Sequence, residues 1–205
     1  MSATESTDWV VRQLKRTEAL LEGHFLLSSG LHSDRYFQCA RLLQYPRRAA
    51  RVGRAIGDLC RPFGAQLVVS PALGGVVIGH EVGRALGVRA IFTEREQGIM
   101  RLRRGFTIAA GEQVLVVEDV VTTGKSTLEA AAAVPAAGGR VVGLASIVDR
   151  SAGVAFPYPF RSLLKLQVAT YPPESCPLCD AGKLPAIKPG SRENPQCGPA
   201  NTGGK

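Results

Sequence analysis

Between Gln66 and Arg150 the chain repeats one pattern, and that pattern restricts the fold more than any other feature. An uninterrupted apolar run is followed by a turn of small residues and then by a helix-length segment: "QLVVS", "PALGG", "VVIGHEVGRALG"; then "VLVVED", "VVTTGK", "STLEAAAAVPAAG". "VRAIFTE" and "RVVGLASIVDR" add two more apolar runs, and "SLLKLQVAT" (Ser162 to Thr170) a fifth. Strands that do not alternate apolar with polar are covered on both faces, which is the habit of a parallel sheet between helices. An α/β fold with a central parallel sheet flanked by helices is therefore expected. Ligands of such sheets lie beyond the carboxyl ends of the strands, so the turns after Val69, Phe92, Val117 and Val148 should face one site.

The flanks read differently. Residues 7–22 have helical periodicity, with Asp8 placed to cap, Trp9, Leu14 and Leu21 on one face, and Gly23 as the stop. "GHFLLSSGLHSDRYFQCA" (Gly23 to Ala40) has short alternating runs broken by Ser-Gly, as in a small β-hairpin. Pro46 opens a helix whose apolar face is Val52, Ile56, Leu59 and Phe63, closed by Gly64. After Tyr171 the composition turns to Pro, Gly and polar residues, and disorder is expected over the last dozen. Three regions follow: a helix and small hood at 1–45, an α/β core at 46–172, and an extension at 173–205.

With 205 residues, 45% of them hydrophobic, the chain can bury one sizeable core. No apolar run reaches membrane-spanning length, and the N-terminus lacks the basic-then-apolar order of a secretory signal, so a cytoplasmic protein is expected. Net charge is +8. The arginines are dispersed rather than interleaved with aromatics on one element, which argues against nucleic acid, and the dense group "RLRRGF" (Arg101 to Phe106) suits a small polyanion. Five cysteines make no disulfide framework. Cys39 and Cys60 read as small core residues; the "CPLC" pair (Cys176, Cys179) is either half of a zinc site or a Pro-rich turn carrying thiols, and no second pair or His-rich partner follows it.

The chemistry concentrates in "VLVVEDVVTTGKST" (Val114 to Thr127). It is not a Walker loop: the glycine that motif needs five positions before Gly124 is Asp119 here. It is still an anion cradle, because backbone N–H groups and hydroxyls gather at a helix start. Two carboxylates beside a phosphate would repel it unless something lies between them. A ribose fits, with its hydroxyls donating to Glu118 and Asp119 while its 5-phosphate sits in the loop. The acids would then stabilise positive charge developing on the ring.

Hydrophobic strand, two acids, two small or apolar residues, then Thr-Thr-Gly-Lys-Ser resembles the signature of the type I phosphoribosyltransferases, which bind phosphoribosyl pyrophosphate (PRPP) with Mg²⁺. "FLLSSGLHSDRYF" (Phe25 to Phe37) is similar to the hood of the orotate phosphoribosyltransferases. The resemblance implies a PRPP site of Glu118, Asp119, Val120, Val121, Thr122, Thr123, Gly124, Lys125 and Ser126, with Arg95 on a mobile loop from Glu94 to Gly105. Glu118 and Asp119 would be the catalytic pair. It implies an orotate site of Thr122, Arg150, Tyr36 and Phe37, with Arg150 meeting the carboxylate. Mg²⁺ would be held mainly through PRPP, with no direct protein ligand. A homodimer is implied, whose loop arginines serve the partner's site. The chain departs from the family in lysines, having none between Lys15 and Lys125. Ser28 and Gly74 stand at two of the family's lysine positions, and arginines 95, 101, 103 and 104 replace the third. A purine phosphoribosyltransferase and a PRPP-sensing regulator are the alternative readings.

Overall fold

The computed structural model describes residues 3–189 apart from 28, 152 and 183. In chain order the elements are α1 (Ala3–Arg16), β1 (Leu20–Leu26), β2 (His32–Phe37), α2 (Ala40–Leu43), α3 (Pro46–Cys60), β3 (Leu67–Pro71), α4 (Gly74–Leu86), β4 (Arg89–Glu96), β5 (Ile99–Leu102), β6 (Gln113–Val121), α5 (Lys125–Ala136), β7 (Arg140–Asp149), β8 (Phe160–Lys165), β9 (Thr170–Tyr171) and α6 (Pro177–Asp180). They form two compact units. One comprises residues 1–20 and 37–167; the other comprises 21–36 and the described residues from 168 onward. The division differs from the three consecutive regions expected from composition: α1 goes with the α/β unit, and the C-terminal segment goes with the hairpin.

In the larger unit six strands lie in the order β5-β4-β3-β6-β7-β8. β3 pairs in parallel with β4 and with β6, β6 with β7, and β7 with β8. Val69, Val114, Val116 and Leu144 bury one set of side chains against Ala130, Ala131 and Val134 of α5. α3 and α4 pack together, and α4 lies on β3 and β6. Val68, Leu115, Ile56 and Ile78 are fully buried. Successive strand residues point to opposite faces, so covering both faces requires apolar residues at every position. That is why the strands read as unbroken runs.

Two expectations are corrected. The sheet is not wholly parallel, because the segment after β4 is not a plain loop: β5 returns antiparallel to β4, pairing Glu96 with Ile99 and Thr93 with Leu102. Gln97 and Gly98 both take positive φ (49° and 83°), the backbone that matches a two-residue hairpin to strand twist. The first helix ends at Arg16, not at residue 22, and Asp8 lies inside it. Thr17 closes it by donating both its amide and its hydroxyl to the Gln13 carbonyl, and Glu18 turns the chain at φ 50°. Leu20 and Leu21 belong to β1 instead.

The helix from Pro46 is confirmed, ending in a 3-10 turn (Arg61–Phe63) with Gly64 left-handed. Cys39 and Cys60 are buried as expected (1% and 0% exposed). In the smaller unit β1, β2 and β9 make a three-stranded sheet. The disorder expected at the end of the chain lies outside the described residues.

Candidate active site

Strand order reverses between β3 and β6, the position at which ligands of such sheets bind. Glu118 and Asp119 are on β6 at this point. The strand does not stop at them: it continues through Val120 and Val121, paired with Val148 and Asp149 of β7. Val121 is buried (1% exposed), so it shapes the loop from the core, and its carbonyl accepts the amide of Arg150 at 2.8 Å.

The acids are held by their own backbone. The Asp119 amide donates to Glu118 Oε1 at 3.1 Å, and the Val120 amide to Asp119 Oδ1 at 2.8 Å. Glu118 is 7% exposed. Burial, then the neighbouring Asp119, pushes the Glu118 carboxyl well above the usual carboxylate range. Burial raises Asp119 as well. Both carboxyls therefore give up their protons less readily than exposed acids do.

From the β3 side, the start of α4 presses on the pair. A β-carbon at Gly75 would lie 2.9 Å from the Val117 carbonyl and 3.1 Å from Glu118 Oε1. One at Gly74 would lie within 3.0 Å of the Asp119 carboxylate, its closest approach being 2.8 Å to Oδ1. This contact was not read from the sequence, although the doubled glycine of "PALGG" was its visible trace.

Past Val121 the chain turns through Thr122, Thr123 and Gly124 into α5. Gly124 has φ 76°, and a β-carbon there would stand 2.6 Å from Phe156 Cε1, so both the backbone and the wall demand glycine. No side chain caps the helix. Among its first amides only Lys125 finds a local oxygen, Thr123 Oγ1 at 3.4 Å. Glu118 and residues 120–127 line a polar cavity of about 50 Å³. That is far below the several hundred Å³ of a pocket for a whole ligand, and is room for one charged group.

Arg150 follows β7, with its guanidinium 5.3 Å from the centre of the Phe37 ring. Phe37 is itself buried (6% exposed), so it braces Arg150 and does not present a bare ring. In the smaller unit Tyr36 lies 5.9 Å from Phe25, ring to ring. Arg95 lies on β4, paired with Glu129 of α5 and donating to the Gly98 carbonyl at 2.6 Å. Arg104 grips Glu94 through two bonds of 2.8 Å, and Arg103 meets Glu96 at 3.3 Å. Among the described residues Arg101 is the one arginine of the hairpin group with no ion pair. Cys39, not foreseen as part of the site, has its thiol pushed up by burial first and then by the nearby Asp119 and Glu118.

Residues 38–172 match the phosphoribosyl transferase domain family, so the chain belongs to that class. The orotate phosphoribosyltransferase of Acidithiobacillus ferrooxidans is 56% identical over 194 residues, covering 91% of this chain and 98% of its own. That of Heliobacterium modesticaldum is 54% identical over 190 residues, covering 91% and 99%. Orotate phosphoribosyltransferase of Mycobacterium tuberculosis has the same fold. Its crystal structure with inorganic phosphate is 29% identical over 79% of this chain and 96% of that one, with a TM-score of 0.65. Its PRPP complex is 25% identical over 81% and 92%, with a TM-score of 0.61. Within its class, the chain is a member of the orotate phosphoribosyltransferases.

Proposed function

We propose that the chain transfers ribose 5-phosphate from PRPP to orotate, giving orotidine 5'-monophosphate and pyrophosphate. One observation carries the assignment: two adjacent carboxyls, Glu118 buried and Asp119 half-buried, lie next to a one-group polar cavity at a helix start. A sugar phosphate spans that juxtaposition. Thr122, Thr123, Gly124, Lys125 and Ser126 take the 5-phosphate on backbone N–H groups and hydroxyls, aided by the helix dipole. Glu118 and Asp119 accept from the ribose hydroxyls and, once ionised, stabilise the positive charge that grows on the ring as pyrophosphate departs. The raised proton affinity of the pair lessens the repulsion that two bare carboxylates would exert on an arriving phosphate.

Orotate nitrogen attacks C1 of the ribose. Arg150, braced by Phe37, pairs with the orotate carboxylate, a planar match for guanidinium, with Thr122 beside it. Arg95 and its neighbours on the β4–β5 hairpin neutralise pyrophosphate. Arginine adds charge there without giving up a proton. The exposed Ile99 beside the hairpin turn and the exposed Arg101 further along β5 support a reach into the other subunit of a homodimer. Mg²⁺ suits this site through PRPP, whose phosphate and hydroxyl oxygens are the hard donors that ion takes. PRPP itself would hold most of the ion's coordination, and the ion would offset charge on the leaving group. The protein works in the cytoplasm; no helix of the described residues is long and apolar enough to cross a membrane.

The test is direct. With PRPP and Mg²⁺ added, the ultraviolet absorbance of orotate should fall as it is consumed. Adenine or hypoxanthine in its place should not react. Turnover of a purine, or PRPP binding with no turnover of orotate, would replace this reading with one of the two alternatives.

A further inference from the structure

In the smaller unit, residues about 150 positions apart in sequence meet at one point. His24 comes from β1, His32 from β2, and Cys176 and Cys179 from the two ends of the turn that begins α6. His24 Nε2 lies 2.8 Å from His32 Nδ1 and 3.7 Å from each of the two Sγ atoms. Cys179 Sγ lies 3.3 Å from His32 Nδ1. All four ligand-type atoms fall within 4.8 Å of one another. Cys176, His24 and His32 are buried, at 0%, 3% and 8% exposure.

The hydrogen bonding fixes what these atoms offer. His24 Nδ1 is 3.0 Å from the Leu184 carbonyl oxygen, which can only accept, so Nδ1 carries the ring proton. Its Nε2 lone pair therefore points inward, at the second imidazole and both sulfurs. A backbone carbonyl holding the outer nitrogen of a histidine is the arrangement that orients imidazole ligands on metals. A single shared proton would satisfy the two nitrogens but would leave the convergence of both sulfurs on them unexplained. Zinc bond lengths in a tetrahedron place neighbouring ligand atoms roughly 3.3–3.8 Å apart. Three of the nitrogen–sulfur distances already lie there, and the two nitrogens need to part by only about half an ångström.

We propose that His24, His32, Cys176 and Cys179 bind one zinc ion in a closed, structural site. The two-nitrogen, two-sulfur set selects zinc over magnesium, and four protein ligands leave no position for substrate. On binding, Zn²⁺ takes both sulfurs as thiolates, and the two thiol protons pass to buffer.

The unit has reason to use a metal. Among its described residues the buried apolar side chains are Phe25 and Cys176 alone, too little for a core. Small modules of that kind rely on a cross-link. The ion would clamp the β1–β2 hairpin to a C-terminal segment that otherwise holds it through few backbone bonds: His32 and Ser33 pair with Tyr171 and Thr170, and Leu26 and His24 bond with Ile187. The "CPLC" turn, read from sequence as thiols without a partner, has its partners upstream.

The experiment uses the full chain, purified reduced. Elemental analysis should find about one zinc per chain. Replacing it with Co²⁺ should give the intense visible absorption of a tetrahedral site with thiolate charge transfer. Cys179→Ser and His32→Asn should each lose the metal and that spectrum, whereas Cys197→Ser, outside the set, should keep both. Because a ligand variant can misfold, the wild-type chain provides a second measurement: chelation should lower its thermal midpoint, and Zn²⁺ alone should restore it. A folded, reduced chain that takes up neither Zn²⁺ nor Co²⁺ would overturn the proposal. So would a Cys179→Ser variant that binds zinc as the parent does, or a Cys176–Cys179 disulfide in protein purified without oxidant.

Discussion

Gly74 and Asp119 share one steric envelope: a β-carbon on residue 74 would stand 2.8 Å from the carboxylate Oδ1. The first turn of α4 thus acts as a stop behind the acid. Gly74→Ala should push Asp119 out of place at an overpacking cost of about 1–3 kcal/mol. If that cost falls on the transition state, kcat/KM drops roughly tenfold or more. Steady-state kinetics with orotate and PRPP decide it; an alanine variant as active as the parent removes Gly74 from the site.

Asp119→Asn keeps the shape and deletes the charge. Turnover should fall by about 100-fold, the scale of losing one preorganised electrostatic contact, while PRPP still binds. Calorimetric titration of PRPP beside kcat measurement separates the two effects. Unchanged kcat would end the proposed role.

Burial, followed by the charge of Asp119, raises the proton affinity of Glu118 in the folded state, and burial raises that of Asp119. Between the ordinary carboxylate range and these raised values, the folded chain holds protons that the unfolded chain has released. Raising pH through that window therefore costs stability. Thermal midpoints of the ligand-free chain should decline from about pH 6 to about pH 8, and Glu118→Gln should flatten part of that decline. Equal slopes for parent and variant would show that Glu118 is not the group responsible.

Gly124→Ala meets two obstacles, a positive φ and the Phe156 ring. The backbone conformation alone costs on the order of 1 kcal/mol or more. The loop should open, so KM for PRPP should rise more than kcat falls. A stable variant with parental KM would show that the loop tolerates a side chain.

The hairpin arginines should divide by their partners. Arg104 is bound to Glu94 on an exposed surface, where solvent screening leaves such a pair little effect on stability. Arg104→Ala should therefore lower the thermal midpoint slightly. Arg101, without an ion pair among the described residues, should leave stability unchanged when replaced by alanine and reduce kcat/KM about tenfold. The reverse pattern would exchange their roles.

Much of this was legible in the residues. The unbroken apolar runs at Val68, Leu115 and Leu144 announced a sheet covered on both sides, because burial on two faces leaves no polar position. "EDVVTTGKS" announced an acid pair ahead of an anion loop, because that chemistry is local in sequence. The β4–β5 hairpin was missed because Gln97-Gly98 is a weaker turn signal than Asn-Gly, and the pairing of Arg95 with Glu129 because those residues are 34 positions apart.

The sequence by itself determined the fold class, the cradle and the acid pair, since periodicity and turn chemistry act between near neighbours. Tertiary structure alone decided that burial raises the proton affinity of the acids, that Gly74 backs Asp119, that Phe37 braces Arg150, and that two histidines of the hairpin meet the "CPLC" turn. Each of these depends on distance and burial between segments far apart in the chain, which only packing sets.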